Sequence, residues 1–362
     1  MKYKSPLHEM AMTTPTQFWN DGCSIPDIQY AMEHGAVGAT TNPLIVMQVL
    51  KKQWDTHLPI IEKMINENPG ATEDEITWEV IEYMAKAGAK QLLPVFEKTR
   101  GSAGYISIQT NTKYYRCAEK LVAQALHFKT LAPNIMVKMP VTAAGINAIE
   151  EAIFEGVNVN ATVSFTVSQA LAVAEAMERG LNRREQAGRD NSTMHPVCTI
   201  MTGRIEDWLR EVMAAQEIIV DPSAIDFSGI AVFKKTYRIY CERNYRARLL
   251  VAAYRSHYHW SQFIGGNISM TIPPNWLRQF ANSDIECKNR INDAVDPLLV
   301  EQLRKHFVDF VRAIEPDGLK PEEFDTFGPA CRTLMQFLKG YDDMVAMIRG
   351  LMTDRANVRA NT

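Results

Sequence analysis

An α/β fold of the (β/α)₈ TIM barrel type, with an extra helical insertion and C-terminal helices, is what the 362-residue chain predicts. Short apolar runs alternate with longer segments of helical periodicity, the pattern of strand-then-helix units that build parallel sheets. Eight such runs can be counted, and the segment that holds them with their helices, from Gln17 to roughly Ser283, is close to the ~250 residues this barrel usually takes. A doubly wound open sheet would carry a GxGxxG turn after its first strand, whereas the first run here is followed by Asp21-Gly22-Cys23-Ser24.

The candidate strands are 17–21, 37–41, 105–109, 135–139, 157–162, 197–202, 249–253 and 268–272. Helical spacing of apolar residues at three and four marks 112–129, 144–155, 167–179 and 205–217 between them. Residues 53–100 insert additional helix after the second strand, with Pro69-Gly70 as a turn and Thr72-Glu73-Asp74-Glu75 as a helix start. Beyond Asp296, amphipathic helices rich in Phe, Leu and Met reach Met352, and they suit either a barrel face or a subunit contact in a homo-oligomer. The expected organisation is one domain over 1–362, with a barrel core of about 17–283 and a helical extension of about 296–352.

A formal net charge of −3 with no long charge runs argues against nucleic acid or an acidic membrane as partner and for small molecules. No stretch approaches the length needed to span a bilayer, and residues 1–15 lack a continuous apolar core of a leader, so a cytoplasmic location is expected. The six cysteines are scattered without a metal-type pair, which predicts reduced thiols and no zinc site. His257 and His259 make a poor metal motif and are expected at the surface or packed, and Lys234 and Lys235 are expected on a solvated helix face.

Lys138 is the residue that asks for a chemical explanation, because it lies inside the apolar run Ile135-Met136-Val137-Lys138-Met139-Pro140. An amine on a half-buried strand loses hydration, its pKa falls, and more of it is the neutral nucleophile that attacks a ketone carbonyl. A lone lysine at a strand end normally packs its stem and sends its head to water. Here several polar residues end other candidate strands: Asp21, Asn42, Gln109, Asn160 and Thr162. Each alone suits a cap or turn, but in this barrel the strand C-termini surround one mouth, so they should converge on Lys138.

The segments Gly38-Ala39-Thr40-Thr41-Asn42-Pro43, Val137-Lys138-Met139-Pro140-Val141-Thr142 and Gly156-Val157-Asn158-Val159-Asn160-Ala161-Thr162 resemble the signatures of the transaldolase family. The likeness continues through Gly203-Arg204-Ile205-Glu206-Asp207-Trp208 and Ala252-Ala253-Tyr254-Arg255. That resemblance implies a class I aldol mechanism with no metal or organic cofactor: Lys138 as Schiff-base lysine, Asp21 as proton acceptor, Gln109 and Thr162 beside the catalytic water. It also implies that Asn42 and Asn160 bind a dihydroxyacetone unit and that Arg204 and Arg255 grip the phosphate of a sugar phosphate, with transfer of that unit from a ketose phosphate to an aldose phosphate, as in the pentose phosphate pathway.

Three positions depart from the pattern. Gln109 stands where transaldolases usually carry a glutamate, and an amide cannot accept and return a proton. Such a glutamine resembles the fructose-6-phosphate aldolase branch, yet that branch is shorter and has a tyrosine where Met201 stands. Ala253 replaces an expected serine near the phosphate. Two further functions therefore stand beside transfer: cleavage that releases dihydroxyacetone, and a sugar-phosphate-binding barrel whose catalysis is altered.

Overall fold

A computed structural model describes residues 3–360, with side chains through residue 353. Eight parallel strands close into a barrel in sequence order: β1 (Gln17–Asp21), β2 (Gly38–Thr40), β3 (Tyr105–Gln109), β4 (Ile135–Pro140), β5 (Val159–Thr162), β6 (Val197–Met201), β7 (Arg248–Ala252) and β8 (Ser269–Ile272). Closure is made by β1 against β8, with Gln17 opposite Ser269 and Trp19 opposite Thr271. Strands β3 to β6 are buried along their whole length, because helices cover the outside and side chains fill the inside. This is why they read as mostly apolar runs in which a few inward polar residues stand out.

The strand expectations hold to within a residue or two. The helix expected over 112–129 divides into a 3₁₀ turn, Thr112–Tyr114, and a helix, Ala118–Lys129. The insertion after β2 forms the helices Trp54–Glu67 and Glu73–Lys98, and the second begins in a capping box: the Thr72 hydroxyl accepts the Glu75 N–H, and the Glu75 carboxylate accepts the Thr72 N–H at 2.7 Å. Among the described residues no helix is long and apolar enough to cross a membrane, and all six cysteines are free thiols.

One expectation fails. Lys234, within the helix Pro222–Glu242, is buried, and its ammonium donates to Gln262 Oε1 and to the carbonyls of Arg290 and Asp293 at 2.8–3.0 Å. The loop over 284–296 folds back over that helix face and supplies two of the three acceptors that solvent was expected to provide. Lys235 is only half-buried and pairs with Glu315 at 3.0 Å.

The C-terminal helix Gly328–Ala360 runs over the elements that follow β2, β3 and β6. Gly328 lies against the Trp208 ring, where a Cβ would come within 2.2 Å of the indole. Farther along, Tyr341 stacks on Trp78 at 5.5 Å and donates its hydroxyl to Asp74 at 2.5 Å. Of the two placements left open by its amphipathic pattern, the helix takes the barrel face, at the mouth where the strands end.

Candidate active site

Register sets the first row of the site. Gln109 on β3 stands opposite Lys138 on β4, and Lys138 opposite Asn160 on β5. Asp21 ends β1 opposite Thr40 on β2. With side chains alternating along each strand, these residues all turn inward at the C-terminal end.

Lys138 is only 4% exposed, and among the described residues its Nζ makes no ion pair within 4.0 Å. Burial holds this amine below its ordinary value; the Asp21 carboxylate opposes that shift and Arg204 adds to it. Burial likewise pushes Asp21 above the usual carboxylate range, against Lys138, a hydrogen bond from Thr40 and the more distant Arg204. The Thr40 hydroxyl donates to Asp21 Oδ1 at 2.6 Å and lies 2.5 Å from the Thr271 hydroxyl of β8, which orients it. Lys138 and Asp21 share a cavity of about 290 Å³ with Asn42, Thr199, Met201, Arg204 and Arg255.

Asn42 does two things at once. Its Oδ1 caps the helix Pro43–Lys52 by accepting the Ile45 N–H at 2.9 Å, which leaves its amide NH₂ for the cavity. Asn160 is fully buried beneath the cavity, where its Oδ1 accepts from Thr199 and its Nδ2 donates to Ser107. Gln109 and Thr162 sit to one side. They line a small void of about 10 Å³, close to the space one water needs, and both Gln109 Oε1 and Thr162 Oγ1 lack a protein partner.

The two arginines differ. Arg255 is clamped by Asp207, with Nε to Oδ1 at 2.8 Å and Nη2 to Oδ2 at 2.5 Å, and its Nη1 donates to the Tyr254 carbonyl. Two of its five N–H groups remain for a ligand. Burial pushes Asp207 up, but the Arg255 hydrogen bonds and charge outweigh it and hold it below the carboxylate range. Arg204 has no carboxylate partner among the described residues; its Nη1 donates to Gln336 Oε1 and its buried Nε–H has no partner. Burial first, then Arg255, brings its pKa down to about 10. Such a guanidinium suits an oxyanion.

The loop that carries Arg255 is held tightly. Ala253 has φ 67°, and its carbonyl accepts the Gly203 N–H at 3.0 Å; a Cβ on Gly203 would stand 2.1 Å from that oxygen. The Arg255 N–H donates to His259 Nδ1 at 2.9 Å, which leaves the ring proton on Nε2, facing Glu206 at 2.5 Å with both groups fully buried. Val163, directly after β5, also lies at positive φ, 60°, a costly conformation for a β-branched residue.

All eight residues singled out from sequence thus lie at or beside one mouth. Sequence reasoning missed Thr40, Thr199, Gln336 and Phe337. The first two stand in recognisable strands, Thr40 two residues before Asn42 and Thr199 two before Met201, a spacing that turns both inward. Phe337 lines both the larger cavity and the small void, and no local signal in its helix identifies that target.

The sequence matches the family described as transaldolase/fructose-6-phosphate aldolase over residues 18–320. It is 33% identical over 178 residues to a transaldolase of Thermobifida fusca (strain YX), covering 48% of this chain and 47% of that one. To a transaldolase of Arthrobacter sp. (strain FB24) it is 27% identical over 247 residues, 64% of this chain and 66% of the relative. The figures for a transaldolase of Mycobacterium marinum are 28% over 212 residues, 57% and 55%. The chain spans between about half and two thirds of the length of these curated relatives. With the family match running from the first strand to well past the eighth, this chain belongs to the transaldolase/fructose-6-phosphate aldolase family.

Proposed function

We propose that the protein is a transaldolase-type enzyme that transfers a dihydroxyacetone unit between sugar phosphates through an imine on Lys138. The observation that carries the proposal is a buried amine without an ion-pair partner, sharing one cavity with a carboxylate, an amide and two guanidinium groups. The neutral amine adds to the C2 ketone of a ketose phosphate, and loss of water gives the iminium. Asp21 takes the C4 hydroxyl proton as the C3–C4 bond breaks, and the bonding pair passes into the iminium to leave an enamine. The released aldose phosphate is replaced by another aldehyde, the enamine carbon attacks it, and hydrolysis of the new imine frees Lys138.

Asn42 and Asn160 would hold the hydroxyls of the three-carbon unit, Arg204 and Arg255 the phosphate, and Gln109 and Thr162 the water that closes the cycle. Borohydride treatment in the presence of a ketose phosphate should add a reduced three-carbon unit to Lys138, read by peptide mass, with no adduct in Lys138→Met. An unmodified Lys138 in a turning-over sample would defeat the proposal.

A second reading, aldol cleavage that releases dihydroxyacetone, is favoured by Gln109. Its amide beside Thr162 can orient water but cannot shuttle a proton. Cleavage that proceeds at full rate without an acceptor aldehyde would select it.

A further inference from the structure

At the N-terminal end of the barrel, opposite the mouth, the strands enclose a second cavity of about 580 Å³, against about 290 Å³ at Lys138. Trp19 of β1, Tyr105 of β3, Arg248 of β7 and Ser269 of β8 line it, with His195 and Tyr237 from flanking segments. Active sites of such barrels occupy the other end, so this one is read as a place of binding rather than of reaction.

Its electrostatics are one-sided. The lining contains Arg246, Arg248 and His195 but no Asp or Glu. Arg246 is committed to Glu178 and Glu185. Arg248 makes no ion pair among the described residues: Nη1 donates to the Ile268 carbonyl at 3.2 Å and Nη2 to Asn267 Oδ1 at 2.7 Å. Burial holds its guanidinium below the ordinary value, with Tyr237 opposing. Neutral acceptors take two of its five N–H groups and do not balance its charge.

Unmet donors lie beside it. Trp19 is 4% exposed and Ser269 fully buried, yet Trp19 Nε1 and Ser269 Oγ have no protein partner. Buried polar groups are bonded in the great majority of cases. The indole is held in place, since Gly38 lies so close that a Cβ there would meet three ring atoms at 2.9 Å. A water could satisfy the indole and the hydroxyl, but it would leave the charge unanswered.

We infer that this cavity binds a small oxyanionic metabolite, whose carboxylate or phosphate group is taken by Arg248, the Trp19 N–H and the Ser269 hydroxyl, with the organic remainder against Tyr105 and Tyr237. The full chain carrying Arg204→Gln, which weakens anion binding at the mouth, is titrated calorimetrically with inorganic phosphate and with acetate. Saturable binding of either anion is expected, and the tighter of the two identifies the group. Adding Arg248→Met weakens it about tenfold or more, and Ser269→Ala, which keeps the volume, weakens it a few-fold. Crystals of the parent chain soaked in selenate should show an anomalous peak within hydrogen-bonding distance of Arg248 and Trp19 Nε1, a readout that stands even if Arg248→Met fails to fold. A peak confined to the mouth, no peak at all, or binding indifferent to both substitutions would overturn the inference.

Discussion

Lys138 and Asp21 are each displaced toward neutrality by burial, and each is held back by the other's charge. Because the Asp21 carboxylate raises the lysine, Asp21→Asn removes that support and the amine falls further. Imine formation requires the deprotonated amine, so its rise with pH should move to lower pH in Asp21→Asn, measured by borohydride trapping across a pH series. Arg204 acts in the opposite sense, and Arg204→Gln should move the same limb to higher pH. At position 109 the question is proton transfer. Gln109→Glu supplies a group that accepts and returns a proton, and it should raise transfer relative to release of dihydroxyacetone by roughly tenfold, read as the ratio of the two products. An unchanged ratio would remove the role given to Gln109. Lys138 and Gln109 stood out in the sequence because a charged or amide side chain interrupted or ended a mostly apolar run. Thr40 was passed over, since a threonine in a strand is ordinary and its contact with Asp21 depends on the pairing of β1 with β2.

Among the elements, the C-terminal helix reaches the site from the far end of the sequence. Its Phe337 packs 6.0 Å from the Arg204 guanidinium, and its Gln336 accepts from the same arginine. Phe337→Ala opens the mouth and loosens Arg204. The expected outcome is a KM for the phosphorylated substrate raised roughly tenfold with a smaller change in kcat, because binding of the phosphate is common to ground and transition states. A fall in kcat alone would contradict this. The sequence announced an amphipathic helix here, but an apolar stripe says only that a surface is covered and not which one. The strands were the reverse case: six are buried along their whole length, and their largely apolar character made them visible.

At the scale of the whole molecule, buried phenylalanines of the extension pack into the common core, while the loop before the extension is pinned by a polar joint. Lys234 is that joint. Burial brings its pKa down to about 8, so it keeps its proton at neutral pH and each of its three donors has an acceptor. Lys234→Met leaves two carbonyls and an amide oxygen without their donor. A loss of roughly 1–3 kcal/mol is expected, seen as a lower denaturation midpoint and as earlier proteolysis between residues 284 and 296. A midpoint unchanged in Lys234→Met would mean that the loop is held by other contacts. The solvated lysine anticipated from sequence became a buried clasp because a loop distant along the chain returns to cover it, a kind of information that local pattern does not carry.

The placement of Phe337 bears on the order in which the molecule is made. Translation delivers all eight strands before the helix that covers them. A nascent chain can therefore pair its eight strands while the Lys138 amine still lies beneath an opening that lacks Phe337, which arrives only with the later helix Gly328–Ala360.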